Sequence, residues 1–402
     1  MKKVNHQSRV LRSIIYLAFA MFPCIQIRSF AQENISTYIM PERNADKNIA
    51  EIYELWKNYL SSNPDSVYNN PYWNNQEKAE LKSFDLMNST GFLSPSLYAL
   101  VKGYNNLVLE IRNEGDYYVI RSMFYLPQQK DVDVLAITNY VAKKDDSEKF
   151  KLYNWLPFYT ANWRHYSLSD IEYYYYPEFP FNRADAEKAN NMIKMLRNKF
   201  GAKIEGKVKQ YIARNCDEQS HMQGFDYVIG MGNNICNTCG STDTQNNIIY
   251  GDAVKGAFYQ HELSRLINRS FQNAHSFFIN GLAEYFNTTK TQLGLTHRQH
   301  FNNINAYLEK HPETDVLNLD DGPFYAMDNQ TPPLYYIGMI VCQRCLERGG
   351  IELLKEGLNT DADKFETFFE RKAGIKKSEF NKWVKSQVKK YSKEDMKNLL
   401  DM

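Results

Sequence analysis

Residues 258–271 read FYQHELSRLINRSF. On a helix, a histidine at i and another at i+4 lie on one face and can reach a single zinc ion. The glutamate between them then sits beside the metal-bound water as general base. Here His261 and Glu262 hold the first two places, and Arg265 stands at the fifth. Arginine keeps its proton at any ordinary pH, so it offers no lone pair to a metal, and its charge repels one. The stretch has the outline of a zinc site and lacks one of its ligands.

A second candidate segment follows, HSFFINGLAEYF at 275–286. Glu284 lies eighteen intervening residues after Arg265, Asn280 shares its helical face one turn earlier, and His275 opens the segment. In order and spacing these segments resemble the gluzincin metallopeptidases, in particular the peptidase-MA-like group. That group runs from a strand into HExxH, then to a GLAEYF-type helix, then to a helix opening on YxxG, and then to a terminal helical pair. The counterparts are NNIIYGD before the site helix, GLAEYF at 281–286, LYYIGMIVCQRCLERGGIELLKEGL at 334–358 and FETFFERKAGIKKSEFNKWVKSQV at 365–388. The resemblance covers roughly residues 200–390.

Carried over residue by residue, the resemblance implies His261 as first zinc ligand and Glu262 as general base. Arg265 replaces the second ligand, and Asn280 stands where a glutamate precedes the helix glycine, here Gly281. A competing register makes Glu284 the third ligand through the HExxH-x18-E spacing. Tyr335 or Tyr336 falls where related enzymes place a tyrosine that stabilises the transition state. On either register a ligand is missing, so the resemblance implies a domain without zinc catalysis or cofactor. Arg265 would then replace the ion and pair with Glu262, Glu284 or Asn280. The function implied is binding of a peptide or protein, by strand addition in the groove between NNIIYG and the site helix. The alternative is an active zinc peptidase that recruits His275 or Glu284 as compensating ligand. The plainer possibility is a solvated Glu262–Arg265 pair beside a packed histidine.

The elements that must position these groups read as an α+β chain. A basic start (Lys2, Lys3, Arg9, Arg12), the apolar SIIYLAFAMFPCIQI and the small residues of SFA at 29–31 form a secretory signal over 1–31, cleaved after Ala31. The protein is expected to be exported, periplasmic or extracellular, with no transmembrane segment. Removing five basic residues leaves 43 basic against 47 acidic, a net charge of −4 with neutral histidines, which argues against nucleic-acid binding. Residues 34–188 read as an antiparallel-sheet domain, with hairpins around NEGD and KKDDSEK and a further strand at IEYYYYPEF. Residues 189–402 read as a mostly helical domain with a small sheet built from VKQYIAR, FDYVIGM and NNIIYG.

Other chemistry-bearing residues are assigned structural roles. Tyr173–Tyr176 read as a strand whose rings pack on both faces, with an envelope glycan-binding surface as the alternative. Two of Cys216, Cys236 and Cys239 are expected to form a disulfide, while Cys342 and Cys345, one helical turn apart, are expected to be core thiols. THRQH at 296–300 reads as a surface helix.

Overall fold

The computed structural model describes residues 46–62, 70–82, 84–89, 104–127, 132–229, 231, 239–287, 295–318, 331–397 and 399–400. The expected signal segment and Cys236 lie outside them. Helix α1 (Lys47–Leu60) starts at Asp46, whose carboxylate accepts from the amides of Asn48 and Ile49 and so satisfies two of the donors a helix start leaves unpaired. The hairpin of β1 (Asn105–Asn113) and β2 (Tyr118–Pro127) turns at NEGD, where Gly115 takes a φ of 90°. A second hairpin joins β3 (Val132–Lys144) to β4 (Phe150–Tyr153). Then come β5 (Arg164–Ser167), β6 (Ile171–Tyr175), α2 (Arg183–Phe200), β7 (Val208–Ala213), α3 (Cys216–Met222) and β8 (Phe225–Val228). After β9 (Gly240–Asp243) and β10 (Ile248–Asp252) the chain is helical: α4 (Gln260–Arg265), α5 (Ser276–Phe286), α6 (His297–Lys310), α7 (Pro333–Leu358) and α8 (Lys377–Tyr391).

The architecture is α+β, with a sheet-rich N-terminal half and a helical C-terminal half. The first sheet runs β1-β2-β3-β4, with β8 also on β3, and every pairing is antiparallel. The second runs β5-β6-β7-β10-β9, parallel through β6, β7 and β10 and antiparallel at both ends. Strands on both sides of residue 188 therefore share sheets: β5 and β6 pair into the second, and β8 returns to the first. Helix α2 runs through residue 188, and all described residues belong to one compact unit. The expected boundary there does not separate the sheets.

The second sheet is buried on both faces, and its alternation shows how. Ile171, Tyr173, Val208, Ile212 and Ile249 face the large core shared with α2 and the C-terminal helices. Tyr211, Ala213, Ile248 and Tyr250 face a second cluster with Leu86, Leu156 and Met222, as the two-residue period of a strand requires. In the helical half, α5 and α7 meet backbone to backbone. A Cβ on Gly281 would lie 2.0 Å from the carbonyl carbon of Gly338, and one on Gly338 would lie 2.3 Å from the Phe277 carbonyl oxygen. Only glycine at both positions permits this approach, and it sets Glu284 and Tyr335–Tyr336 facing each other.

Candidate functional site

Strand β10 enters the site helix through a turn closed by Asp252, whose Oδ1 accepts from the amides of Val254 and Lys255 at 3.0 and 3.1 Å. Tyr259, just before α4, packs on Gly240 of β9, where a Cβ would come within 2.3 Å of its ring. This contact presses α4 against the strand. Glu262 is buried and turned toward β9: Thr242 Oγ1 lies 2.7 Å from its Oε2 and 2.9 Å from its carbonyl oxygen.

His261 and Arg265, one turn apart on α4, form the centre of a polar cluster. Arg265 Nε donates to His261 Nε2 at 3.2 Å, and Arg265 Nη2 donates to the Tyr335 hydroxyl at 2.7 Å. The Tyr335 ring also stacks on His261, with centroids 5.9 Å apart. His261 Nδ1 faces Glu284 Oε2 at 3.4 Å. A guanidinium can only donate, so the His261 Nε2 lone pair is the acceptor, and the proton of the neutral ring sits on Nδ1, toward Glu284. The Glu284 carboxylate is buried and collects more partners at Oε1: His297 Nε2 at 3.1 Å, the Tyr336 hydroxyl at 3.2 Å and Asn287 Nδ2 at 3.3 Å. Burial alone would raise its pKa, but the hydrogen bonds from His261 and His297 outweigh it and hold the carboxyl well below the usual range. Burial lowers the Lys255 ammonium against the opposing pull of Glu284 and Asp252.

Several expectations change. Arg265 makes no ion pair or hydrogen bond with Glu262, Glu284 or Asn280 among the described residues; it reaches Glu284 only through the His261 ring. Glu262 is not a solvated partner of Arg265, because it is buried and its carboxylate bonds Thr242 instead. Asn280 lies half-buried one turn before Glu284, without a side-chain hydrogen bond among the described residues. His275 does not join the cluster. Its Nδ1 caps α5 by accepting from the Phe277 amide at 3.2 Å, and its ring stacks on Phe365 at 4.2 Å. Burial, opposed by Glu366, lowers its pKa. Both tyrosines belong to the site, Tyr335 on Arg265 and Tyr336 on Glu284.

THRQH opens a surface helix whose inner face carries the histidines: Thr296, Arg298 and Gln299 are exposed, His297 is half-buried and His300 is buried. Thr296 and Gln299 form a capping box that starts α6, so His297 and His300, three residues apart, share a face. His297 bonds Glu284, and the buried His300 stacks on Tyr336 at 4.6 Å. The capping signature and the i,i+3 spacing were the available signal for both. Nor is β10 an edge. β9 covers it, and β9 is the edge strand beside the cluster among the described residues.

The zinc of gluzincins does not fit this arrangement. Metal at His261 Nε2 would sit about 2 Å from that nitrogen, in the space where a fixed cation already uses its lone pair. The second imidazole is absent, and Glu284 is taken up by two histidines and a tyrosine.

Elsewhere, Tyr173 and Tyr175 are buried, Tyr174 stacks on Tyr211 at 4.8 Å, and Arg214 lies over the Tyr176 ring at 4.6 Å. These rings are engaged by the protein itself. Cys216 and Cys239 lie close to Asp252 with no disulfide between them, and Cys342 and Cys345 are buried free thiols on α7. Among the described residues no helix is long and apolar enough to cross a membrane. No protein-family model and no curated protein matches the chain.

Proposed function

We propose that the chain is an exported binding protein built on a gluzincin-like domain whose zinc chemistry is lost, and that it takes an extended peptide along β9. The observation that carries this reading is the hydrogen bond from Arg265 Nε to His261 Nε2, which places a guanidinium where a metal would bind. Arg265 then does structural work. It ties α4 to α7 through Tyr335, while Glu284 ties α5 to α6 and α7 through His297 and Tyr336. The site helix keeps its place against the edge strand without an ion.

Strand addition supplies main-chain hydrogen bonds from the open side of β9. The Glu262–Thr242 contact fixes the strand against α4 while the peptide pairs on its other side. The test is hydrogen exchange on the full chain with a library of extended peptides. Slowed exchange at Gly240–Asp243, with the peptides recovered intact, is the expected result. Chelator-sensitive cleavage that Glu262→Gln abolishes would overturn the proposal and favour an active zinc peptidase.

A further inference from the structure

Three neighbouring segments bring two sulfurs and a carboxylate to one point, away from the His261 cluster's own contacts. Ala213 of β7 pairs with Asp252 of β10 in the parallel ladder, and Cys216 follows three residues later at the start of α3. Gly240 of β9 pairs with Gly251 of β10 in the antiparallel ladder, which sets Cys239 opposite Asp252. Strand pairing on both sides of β10 therefore imposes the meeting. One ligand atom from each of Cys216, Cys239 and Asp252 lies within 4.8 Å of the other two, and Cys239 Sγ is 3.5 Å from Asp252 Oδ2. Sulfur and oxygen ligands around tetrahedral zinc are separated by about 3.5–3.8 Å, given zinc–ligand bonds of about 2.0–2.3 Å.

We infer that Cys216, Cys239 and Asp252 form a binding site for a zinc-class divalent ion that pins the entry of edge strand β9 to the ends of β7 and β10. Asp252 is fully buried and accepts from three backbone amides, those of Cys239, Val254 and Lys255. These bonds fix the carboxylate with its Oδ2 beside the Cys239 sulfur and one of its oxygens within 4.8 Å of the Cys216 sulfur. A disulfide would use the sulfurs alone and would have no part for the carboxylate. An ion uses all three: the two thiols release their protons to solvent as it binds, and two thiolates with one carboxylate make a soft, anionic donor set. Both cysteines are half-buried, so water can complete a fourth position. Lys255, which feels the Asp252 charge, offsets the negative charge left on the complex. This site does not depend on the peptide-binding reading.

The experiment uses the full chain purified without chelator, with free thiols alkylated at lysis, and measures metal content by mass spectrometry. About one zinc per chain is expected, retained in His261→Ala and Cys342→Ser and lost in Cys239→Ser and Asp252→Asn. If these last two variants do not fold, cobalt(II) titration of the parent chain still decides. A thiolate-to-cobalt charge-transfer band that persists in Cys342→Ser and Cys345→Ser supports the site. Absence of that band, zinc content that depends on His261 alone, or a Cys216–Cys239 disulfide in the purified chain overturns it.

Discussion

Arg265 Nε lies 3.2 Å from His261 Nε2, one helical turn away on the same face of α4. The two side chains that would share a metal in an HExxH helix here bond each other. The cation is covalently supplied and permanently charged, so it needs no ligand set. Its other end reaches Tyr335 on α7, and this bond couples the site helix to α7.

Arg265→Ala removes the donor from both the His261 ring and the Tyr335 hydroxyl. Two partly buried acceptors are left without it, at a cost of about 1–3 kcal/mol. Tyr335→Phe breaks only the second bond and is expected to cost about 1 kcal/mol. Urea unfolding of the two variants and the double mutant should show non-additive losses, because both act on one interaction.

Arg265→His restores the missing imidazole. Once the Glu284 carboxylate turns from the Nδ1 to the Nε2 side of His261, the two imidazoles and Glu284 make three metal ligands, and the variant should take up about one zinc more than the parent. That extra ion should be lost again in Arg265→His/Glu284→Gln. Equal metal content in the variant and the parent would argue against descent from a zinc site.

Gly281→Ala tests the contact that sets the cluster. The added Cβ would lie 2.0 Å from the Gly338 carbonyl carbon, and backbone on the far side cannot swing away. A loss of about 3 kcal/mol or more is expected on thermal or urea unfolding, with weaker peptide protection of β9.

Glu77 gives a pH signature unrelated to the site. It is half-buried, accepting from Trp73 Nε1 and from Asn154, and desolvation raises its pKa to about 7 despite those bonds. The folded state therefore holds a proton that the unfolded chain gives up near 4.5. Its stabilising contribution is full below that value and is lost as pH rises through about 7. Asp85, raised to about 6 by burial against its bonds to Tyr59 and Tyr140, acts in the same direction. Urea midpoints measured from pH 4 to 8 should fall less steeply in Glu77→Gln than in the parent.

Local pattern made the elements legible and left their partners hidden. Helices α2, α5 and α7 and the turn at Gly115 follow from periodicity and capping residues, and the order of GLAEYF and YxxG pointed to the helices that carry Glu284 and Tyr335. Strand β9 did not show, because GSTD is short and polar and becomes a strand only by pairing with β10. The return of β8 to the first sheet is likewise a long-range pairing with no local signature. His297 and His300 read as surface residues because the carboxylate and ring that receive them come from α5 and α7. The choice of His261 and Tyr335 by Arg265, over three nearer-seeming partners, depends on the close approach at Gly281 and Gly338.

The most direct measurement is zinc content of the full chain compared with that of His261→Ala, purified side by side without chelator. Equal zinc in both is expected, whatever the Cys216–Cys239–Asp252 site holds, because the guanidinium already occupies His261. Near-stoichiometric zinc in the parent that disappears in His261→Ala would contradict the replacement of the metal by Arg265.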